Sequence, residues 1–340
     1  MSPFFRVFLS GVFVAGVAAA QVIPTPIEND DKTELDSEPE RAFLITVRSL
    51  LNQEEFNQIE QIAAEARSSE TRFTGGEWKL SALYRVLQGP GSLTAPDATW
   101  NNHIERLKRW AAAKPESITP RIAIGSAYTR FAWKARGNGY SNTVTPDAEK
   151  LFSERIELAR QTLEAAELLP AKDPELYCRL QTVALAQGWS RPQIDALLNQ
   201  LQLTEPTYDR IYPEQANFLM TKWYGKPGDA EAFAQSAADK IGGDRGNYIY
   251  FRIALEENCC HALQLPDLDW NRVKLGFAAL ESLYSSTNHQ RNAMAFMAVK
   301  THDADFARQL FNRIGDDWAA AVWGSKEKFD NAKSKVAAAK

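Results

Sequence analysis

Several kinds of chemistry lack their usual residues in this chain. Only four histidines and three cysteines occur among 340 residues, and no H-E-x-x-H arrangement is found, which disfavours a zinc hydrolase site. The G-x-S-x-G turn of a serine esterase is missing, and so is a glycine-rich phosphate loop that ends in Gly-Lys-Ser or Gly-Lys-Thr. The sequence therefore predicts neither a metal ion nor a cofactor.

Two further absences concern the fold and the partners. No stretch alternates apolar and polar residues over several positions, so strands have no support. Beyond residue 20, no run approaches the ~20 apolar residues of a transmembrane helix. A net charge of -4 disfavours nucleic acid, because binding phosphates requires clustered cations. We expect an all-α chain that neither inserts into a membrane nor binds nucleic acid.

The N-terminal region has the pattern of an export signal. Arg6 precedes an apolar run over residues 7–17, and three alanines then lead to Gln21. We expect residues 1–20 to be a signal peptide, with an uncleaved anchor as the alternative, and the protein to be periplasmic or extracellular. Residues 21–41 contain three prolines and seven acidic residues against two basic ones. This composition predicts a disordered, flexible tether.

The rest of the chain is predicted to form helical hairpins. Gly188 ends one helix and Ser190 with Pro192 begins the next, while Gly225 is expected to end a third. Two helices have a clear apolar stripe, formed by Phe152, Ile156, Ala159, Leu163 and Ala166 in one and by Ile194, Leu197, Leu198 and Leu201 in the other. Short helices of this kind bury their stripes by stacking. We predict a helix-turn-helix repeat solenoid over residues 42–315 and a capping helix with a basic tail over 316–340.

Parts of the chain resemble a known family. Residues 50–56 (LLNQEEF), 184–189 (ALAQGW) and 304–311 (ADFARQLF) are similar to tetratricopeptide-type helix-turn-helix units. Residues 72–84 and 132–137 (AWKARG) resemble a bacterial family of unknown function with a secretion signal and tetratricopeptide-like repeats. The resemblance implies a helical superhelix. It implies no reaction and no catalytic residue.

One predicted helix, over residues 117–136, carries two different faces. One face is apolar and suited to packing, while the other combines polar, aromatic and cationic side chains, namely Ser126, Thr129, Arg130, Trp133 and Arg136. Aromatic and arginine side chains are common anchors at interfaces, so this face is a candidate lining for a concave groove. The alternative is that the next repeat buries Trp133 while acidic side chains pair with the arginines.

The three cysteines allow several interpretations. In an oxidising compartment, Cys178 can form a disulfide with Cys259 or Cys260. A strained bridge between the neighbours Cys259 and Cys260 would instead be sensitive to redox conditions. In the third interpretation all three remain reduced and are buried as small apolar side chains.

Two functions follow from these patterns. The first is a non-enzymatic scaffold that holds a peptide or protein partner in the concave groove. The second is a hydrolase of cell-envelope polymers that uses a carboxylate pair, with Glu256, Glu257, Asp303 and Asp305 as the candidate residues. A long open groove would favour the scaffold and an enclosed polar pocket the enzyme. The oligomeric state stays open.

Overall fold

The computed structural model describes residues 37–137, 143–261 and 268–338, without the side chains of 257–261. Helices account for most of these residues, and the first eight are α1 Glu38–Asn52, α2 Phe56–Ser69, α3 Lys79–Leu87, α4 Asp97–Ala113, α5 Thr119–Arg136, α6 Pro146–Glu167, α7 Glu175–Gln187 and α8 Arg191–Thr204. The others are α9 Ile211–Phe218, α10 Asp229–Ile241, α11 Gly243–His261, α12 Trp270–Tyr284, α13 Asn288–Lys300, α14 Ala304–Ile314, α15 Ala320–Trp323 and α16 Lys326–Ala338. The described part of the chain contains no β-strand, only an isolated bridge between Arg72 and Trp78. The all-α prediction is confirmed.

Local sequence signals determine where several of these helices begin and end. The Thr145 side chain accepts the backbone N–H of Ala148 at 3.2 Å and so caps α6. Ser190 and Gln193 form a capping box at the start of α8. Gly188 ends α7 in the left-handed conformation that glycine adopts without strain. These boundaries follow from short-range chemistry.

The two apolar stripes predicted for α6 and α8 are confirmed. In α6 the buried residues are the five of the predicted stripe, Phe152, Ile156, Ala159, Leu163 and Ala166. In α8 they are the predicted four, Ile194, Leu197, Leu198 and Leu201. Each of these helices keeps its polar side towards water and packs with its apolar side against an inner neighbour.

The odd-numbered helices from α3 to α13 form a row in which each contacts the next. Even-numbered helices pack beside this row, and the closest pairs along the chain are α5 with α6 and α11 with α12. At the start of the chain α1 and α2 pack on α3, and near its end α16 packs on α14. Helices in the row are covered from several directions. Most of the core therefore lies along the row.

A turn over residues 71–78, which we call the cross-turn, joins distant parts of the chain. The N–H of Gly75 donates to the Ser285 carbonyl at 3.1 Å, and Gln290 Nε2 donates to the Gly75 carbonyl at 2.9 Å. Gly76 has φ 83°, and a Cβ there would lie 2.2 Å from the Tyr248 hydroxyl oxygen. The cross-turn therefore attaches the region before α3 to α11 and α13.

One predicted helix boundary is wrong. Helix α9 ends at Phe218, seven residues before Gly225, and the chain continues in turns. The Gly225 N–H donates to the Met220 carbonyl at 3.2 Å, and a Cβ on Gly225 would lie 1.6 Å from the Leu219 carbonyl oxygen. The glycine is needed because the chain folds back onto the end of α9.

The predicted segment boundaries fall partly outside the described residues. The predicted signal peptide and most of the predicted tether lie in residues 1–36, which the structure does not describe. Helix α1 begins at Glu38, so the last four residues of the predicted tether, 38–41, are helical. The predicted C-terminal segment contains α15 and α16. None of the described helices is both apolar enough and long enough to cross a membrane.

Candidate binding site beside a buried charge network

The face predicted to line a groove on α5 is mostly inside the molecule. Ser126, Thr129 and Trp133 are at most 6% exposed. The Ser126 and Thr129 hydroxyls donate to backbone carbonyls one turn earlier in α5, at 2.8 Å and 2.9 Å. Arg136 is buried with its guanidinium 5.5 Å from the Trp133 ring centre, while Arg130 is half-buried. Their role in binding a partner stays a prediction.

Close packing between α5 and α6 explains this burial. A Cβ on Gly125 would lie 2.5 Å from Cγ of Leu163, so α6 approaches α5 as closely as the missing side chain permits. The Trp133 ring then meets the Phe152 ring edge-on, with centres 4.9 Å apart. The next helix therefore covers the aromatic residue of the predicted face, as in the alternative interpretation of that face.

Of the three cysteines, only Cys178 has a described side chain. Cys178 is a free, fully buried thiol on α7. Burial raises its pKa well above the usual value, and the nearby carboxylates of Glu175 and Glu214 raise it further. The side chains of Cys259 and Cys260 lie outside the described residues, so their pairing and any redox role stay predictions.

The carboxylates of the hydrolase alternative occupy different places. Asp303 caps α14 and accepts hydrogen bonds from Trp270 Nε1 and Lys274 Nζ, both at 2.9 Å. Asp305 is exposed and pairs with Arg308. Glu256 is half-buried on α11, and the side chain of Glu257 is not described. Asp303 thus links the start of α14 to α12. The hydrolase function stays a prediction.

A network of buried ion pairs runs along the row of inner helices. Asp209, just before α9, is 1% exposed and lies between two arginines. Arg72 Nη1 is 2.5 Å from its Oδ1, and Arg252 Nη1 is 3.2 Å from its Oδ2. Burial by itself raises the pKa of Asp209, but the two guanidinium groups outweigh it and the pKa lies below its usual value. Asp209 therefore stays ionised inside the protein.

The neighbouring acid of the network, Glu175 on α7, is fully buried. Its side chain pairs with Arg179, and Arg210 Nε lies 3.5 Å from its Oε1. The Tyr208 hydroxyl donates to its Oε2 at 2.5 Å. Arg210 also pairs with Glu214 at 3.2 Å. This part of the network connects α7 to α9.

A third buried acid, Asp173, has a different pKa shift. It lies two residues before α7 and accepts the N–H of Glu175 at 3.0 Å. Arg67 Nε at 2.9 Å and the Tyr84 hydroxyl at 2.7 Å complete its surroundings. Burial raises its pKa, and these partners only partly offset that effect. As the pH falls, Asp173 therefore takes up a proton before Asp209 does.

A pocket of about 680 Å³ opens next to Asp209, and we call it the edge pocket. Its walls come from the last turns of α8 and α10, the connection between α8 and α9, the first turns of α9 and α11, and two side chains from elsewhere, Arg72 and Tyr284. Arg72 is fixed there by Asp209 and lies over the Tyr284 ring, 4.9 Å from its centre. The buried network thus forms one wall of the pocket.

The edge pocket combines apolar walls with cationic groups. Leu203 is 80% exposed and Tyr284 is half-buried, whereas Tyr212 and Tyr248 lie in the wall with almost no exposed surface. Two cations, Lys240 and Arg245, also line the pocket. The ammonium of Lys240 donates to Gln202 Oε1 at 2.8 Å.

Within the described part of the chain, no carboxylate forms an ion pair with Lys240 or Arg245. The only carboxylate in the lining is Asp209, and two arginines already neutralise it. This arrangement suits a ligand that combines apolar groups with negative charge.

Sequence reasoning missed the edge pocket and the network. Arg72 and Asp209 are 137 residues apart in the chain, so no local pattern relates them. One signal was present. Arg179 interrupts the apolar face of α7 between buried leucines, and a charged residue in such a place indicates a buried partner.

Comparisons with protein-family models, with curated proteins and with solved structures found no match to this chain. The predicted resemblance to a secreted tetratricopeptide-like family therefore stays a prediction, and no relative supplies an activity. Among the described residues, no group of three or more histidine, cysteine or acidic side chains is arranged to hold a metal ion.

Proposed function

We propose that this protein is a non-catalytic helical-repeat scaffold that works outside the cytoplasm and binds a peptide or protein partner. Its repeats would stack as a tetratricopeptide-like solenoid. The unbroken row of contacts from α3 to α13, with a second helix beside most members, supports such stacking. Binding of extended peptides along helical surfaces is a common use of stacked hairpins.

The edge pocket is the observation that carries this proposal. Its volume suits a few peptide side chains, and Leu203 and Tyr284 offer apolar surface in its wall. The residues at its walls are held by the network, since Arg72 contacts Asp209, the Thr207 carbonyl at 2.8 Å and the Gly76 carbonyl at 2.9 Å. A pre-formed pocket binds without first having to order its walls.

Peptide selection tests this function. The chain from Gln21 onward is immobilised, and a random peptide display library is selected on it. Enriched peptides are then synthesised with a fluorescent label, and their dissociation constants are measured by anisotropy. We expect enrichment of acidic peptides that carry an aliphatic or aromatic residue, because such peptides complement the two cations, Lys240 and Arg245, and the apolar surface of Leu203 and Tyr284.

A matched pair of variants locates the binding. Lys240→Ala combined with Arg245→Ala removes two cations from the edge pocket, and we expect binding at least tenfold weaker. Lys328→Ala combined with Lys335→Ala removes the same charge from exposed positions on α16 and should leave binding unchanged. No enrichment, or equal losses in both variants, would refute the proposed site.

A further inference from the structure

The first turns of α1 bring the end of an acidic segment close to the edge pocket. The Phe43 and Phe73 ring centres are 5.5 Å apart, and Phe73 is adjacent in sequence to Arg72 of the pocket wall. Ser37 precedes Phe43 by six residues, which is about 9 Å along a helix. The chain before Ser37 therefore joins the described fold within a few helical turns of the pocket.

The composition of that segment complements the edge pocket. Residues 27–36 (IENDDKTELD) carry five carboxylates and one lysine, together with Ile27 and Leu35. The pocket offers Lys240 and Arg245 beside tyrosine and leucine surface. Ten residues can span at most about 35 Å when extended. That span is longer than the distance of a few helical turns between Ser37 and the pocket wall.

We propose that residues 27–36 of this chain dock in the edge pocket and compete there with the partner. The inference rests on the proposed function, because it assigns a regulator to the same site. An attached segment has an effective concentration on the order of 1 mM. A docked segment with a dissociation constant of about 0.1 mM would thus weaken partner binding about tenfold. A partner would need to displace the segment.

The test uses a labelled synthetic peptide of residues 23–37 as the probe. It is titrated against the chain from Gln21 onward and against a variant in which the segment has lost its charge, with Glu28 and Glu34 changed to Gln and with Asp30, Asp31 and Asp36 changed to Asn. This variant keeps the length of the segment. We expect it to bind the probe about tenfold more tightly than the unaltered chain, because its own segment no longer competes.

The site of docking is tested in the same charge-neutralised background. Adding Lys240→Ala and Arg245→Ala should abolish the gain, whereas adding Lys328→Ala and Lys335→Ala should preserve it. Circular dichroism spectra of all variants check that the helices are intact. Equal probe binding before and after neutralisation would overturn the proposal, and so would a gain that survives loss of the pocket cations.

Carbodiimide coupling supplies a second measurement on the unaltered chain. The reagent joins a carboxylate to a nearby amine as an amide and takes up the water released. We expect mass spectrometry to find Lys240 joined to a carboxylate of residues 28–36 within one molecule. Coupling of the segment to Lys328 as often as to Lys240 would count against docking.

Failure of this proposal can be told apart from failure of the proposed function. If neutralisation has no effect but library peptides still require Lys240 and Arg245, docking of the segment is refuted while the binding function stands. If neither the probe nor any library peptide depends on these two cations, both are refuted.

Discussion

Loss of Arg72 should destabilise the protein more than loss of any exposed arginine. Its side chain is 8% exposed. It pairs with Asp209 and lies over the Trp78 and Tyr284 rings, 4.4 Å and 4.9 Å from their centres. Arg72→Met keeps most of the volume but leaves Asp209 buried with only Arg252. Breaking a buried ion pair from one side typically costs about 3–5 kcal/mol.

Arg191→Met is the matched control. Arg191 pairs with Asp195 at 2.8 Å on the surface of α8, with both side chains more than 40% exposed. Exposed pairs of this kind contribute about 0.2–1 kcal/mol. The free energy of unfolding is measured for both variants by urea titration with circular dichroism at 222 nm. A loss below about 1 kcal/mol for Arg72→Met would refute the role assigned to the buried network.

A variant of Asp209 tests whether Arg72 and Asp209 stabilise each other directly. Asp209→Asn removes the charge that Arg72 and Arg252 stabilise, and the double variant Arg72→Met/Asp209→Asn completes a double-mutant cycle. We expect the two changes together to cost less than the sum of the single changes, because the second removes the unpaired charge left by the first. Additive losses would show that the two residues do not stabilise each other.

Three further predictions concern pH, packing and thiols. Because the folded-state pKa of Asp209 lies below its usual value, its contribution to folding stability is present above about pH 4 and is lost as the pH falls through the folded pKa. Asp209→Asn should therefore be less stable than the unaltered protein at pH 7 and should lose less stability on acidification, as measured by urea titrations at several pH values. Gly125→Ala places a Cβ 2.5 Å from Leu163, and the overpacking cost of about 1–3 kcal/mol should exceed the gain in helix propensity of about 1 kcal/mol. The melting temperature should therefore fall, and an unchanged melting temperature would contradict this. Cys178 is fully buried with a raised pKa, so a thiol reagent should modify it only after unfolding, and rapid modification in the native protein would contradict its burial. A count of three free thiols in denaturant without reductant would also exclude both predicted disulfides.

Helices with one apolar face were predictable from the sequence. In α6 and α8 the buried residues repeat at helical spacing and the opposite side is polar, so the pattern alone indicates which side packs. The caps at Thr145 and Ser190 depend on neighbouring residues only. These features are local, which is why they could be identified without the fold.

Inner helices were less predictable, for a physical reason. Helix α5 is buried on its apolar face and on most of the face that carries Trp133, so its two-faced pattern does not reveal which face is open. Helix α7 buries Glu175 and Arg179, which pair with each other, and the further partners of Glu175, Arg210 and Tyr208, come from another part of the chain. The position of Arg179 among apolar residues indicates burial, but the partners of these side chains in other segments cannot be identified until the tertiary contacts are known. The edge pocket was missed because its walls come from segments far apart in sequence.

The central claim is that a partner binds in the edge pocket. Hydrogen exchange measured by mass spectrometry, with and without a peptide enriched in the library selection, tests it most directly. We predict slower exchange in residues 199–212 and 240–249, which contain most of the pocket lining, and little change in residues 126–136. Slower exchange confined to 126–136, where the sequence placed the binding face, or unchanged exchange throughout with bound peptide, would contradict the account.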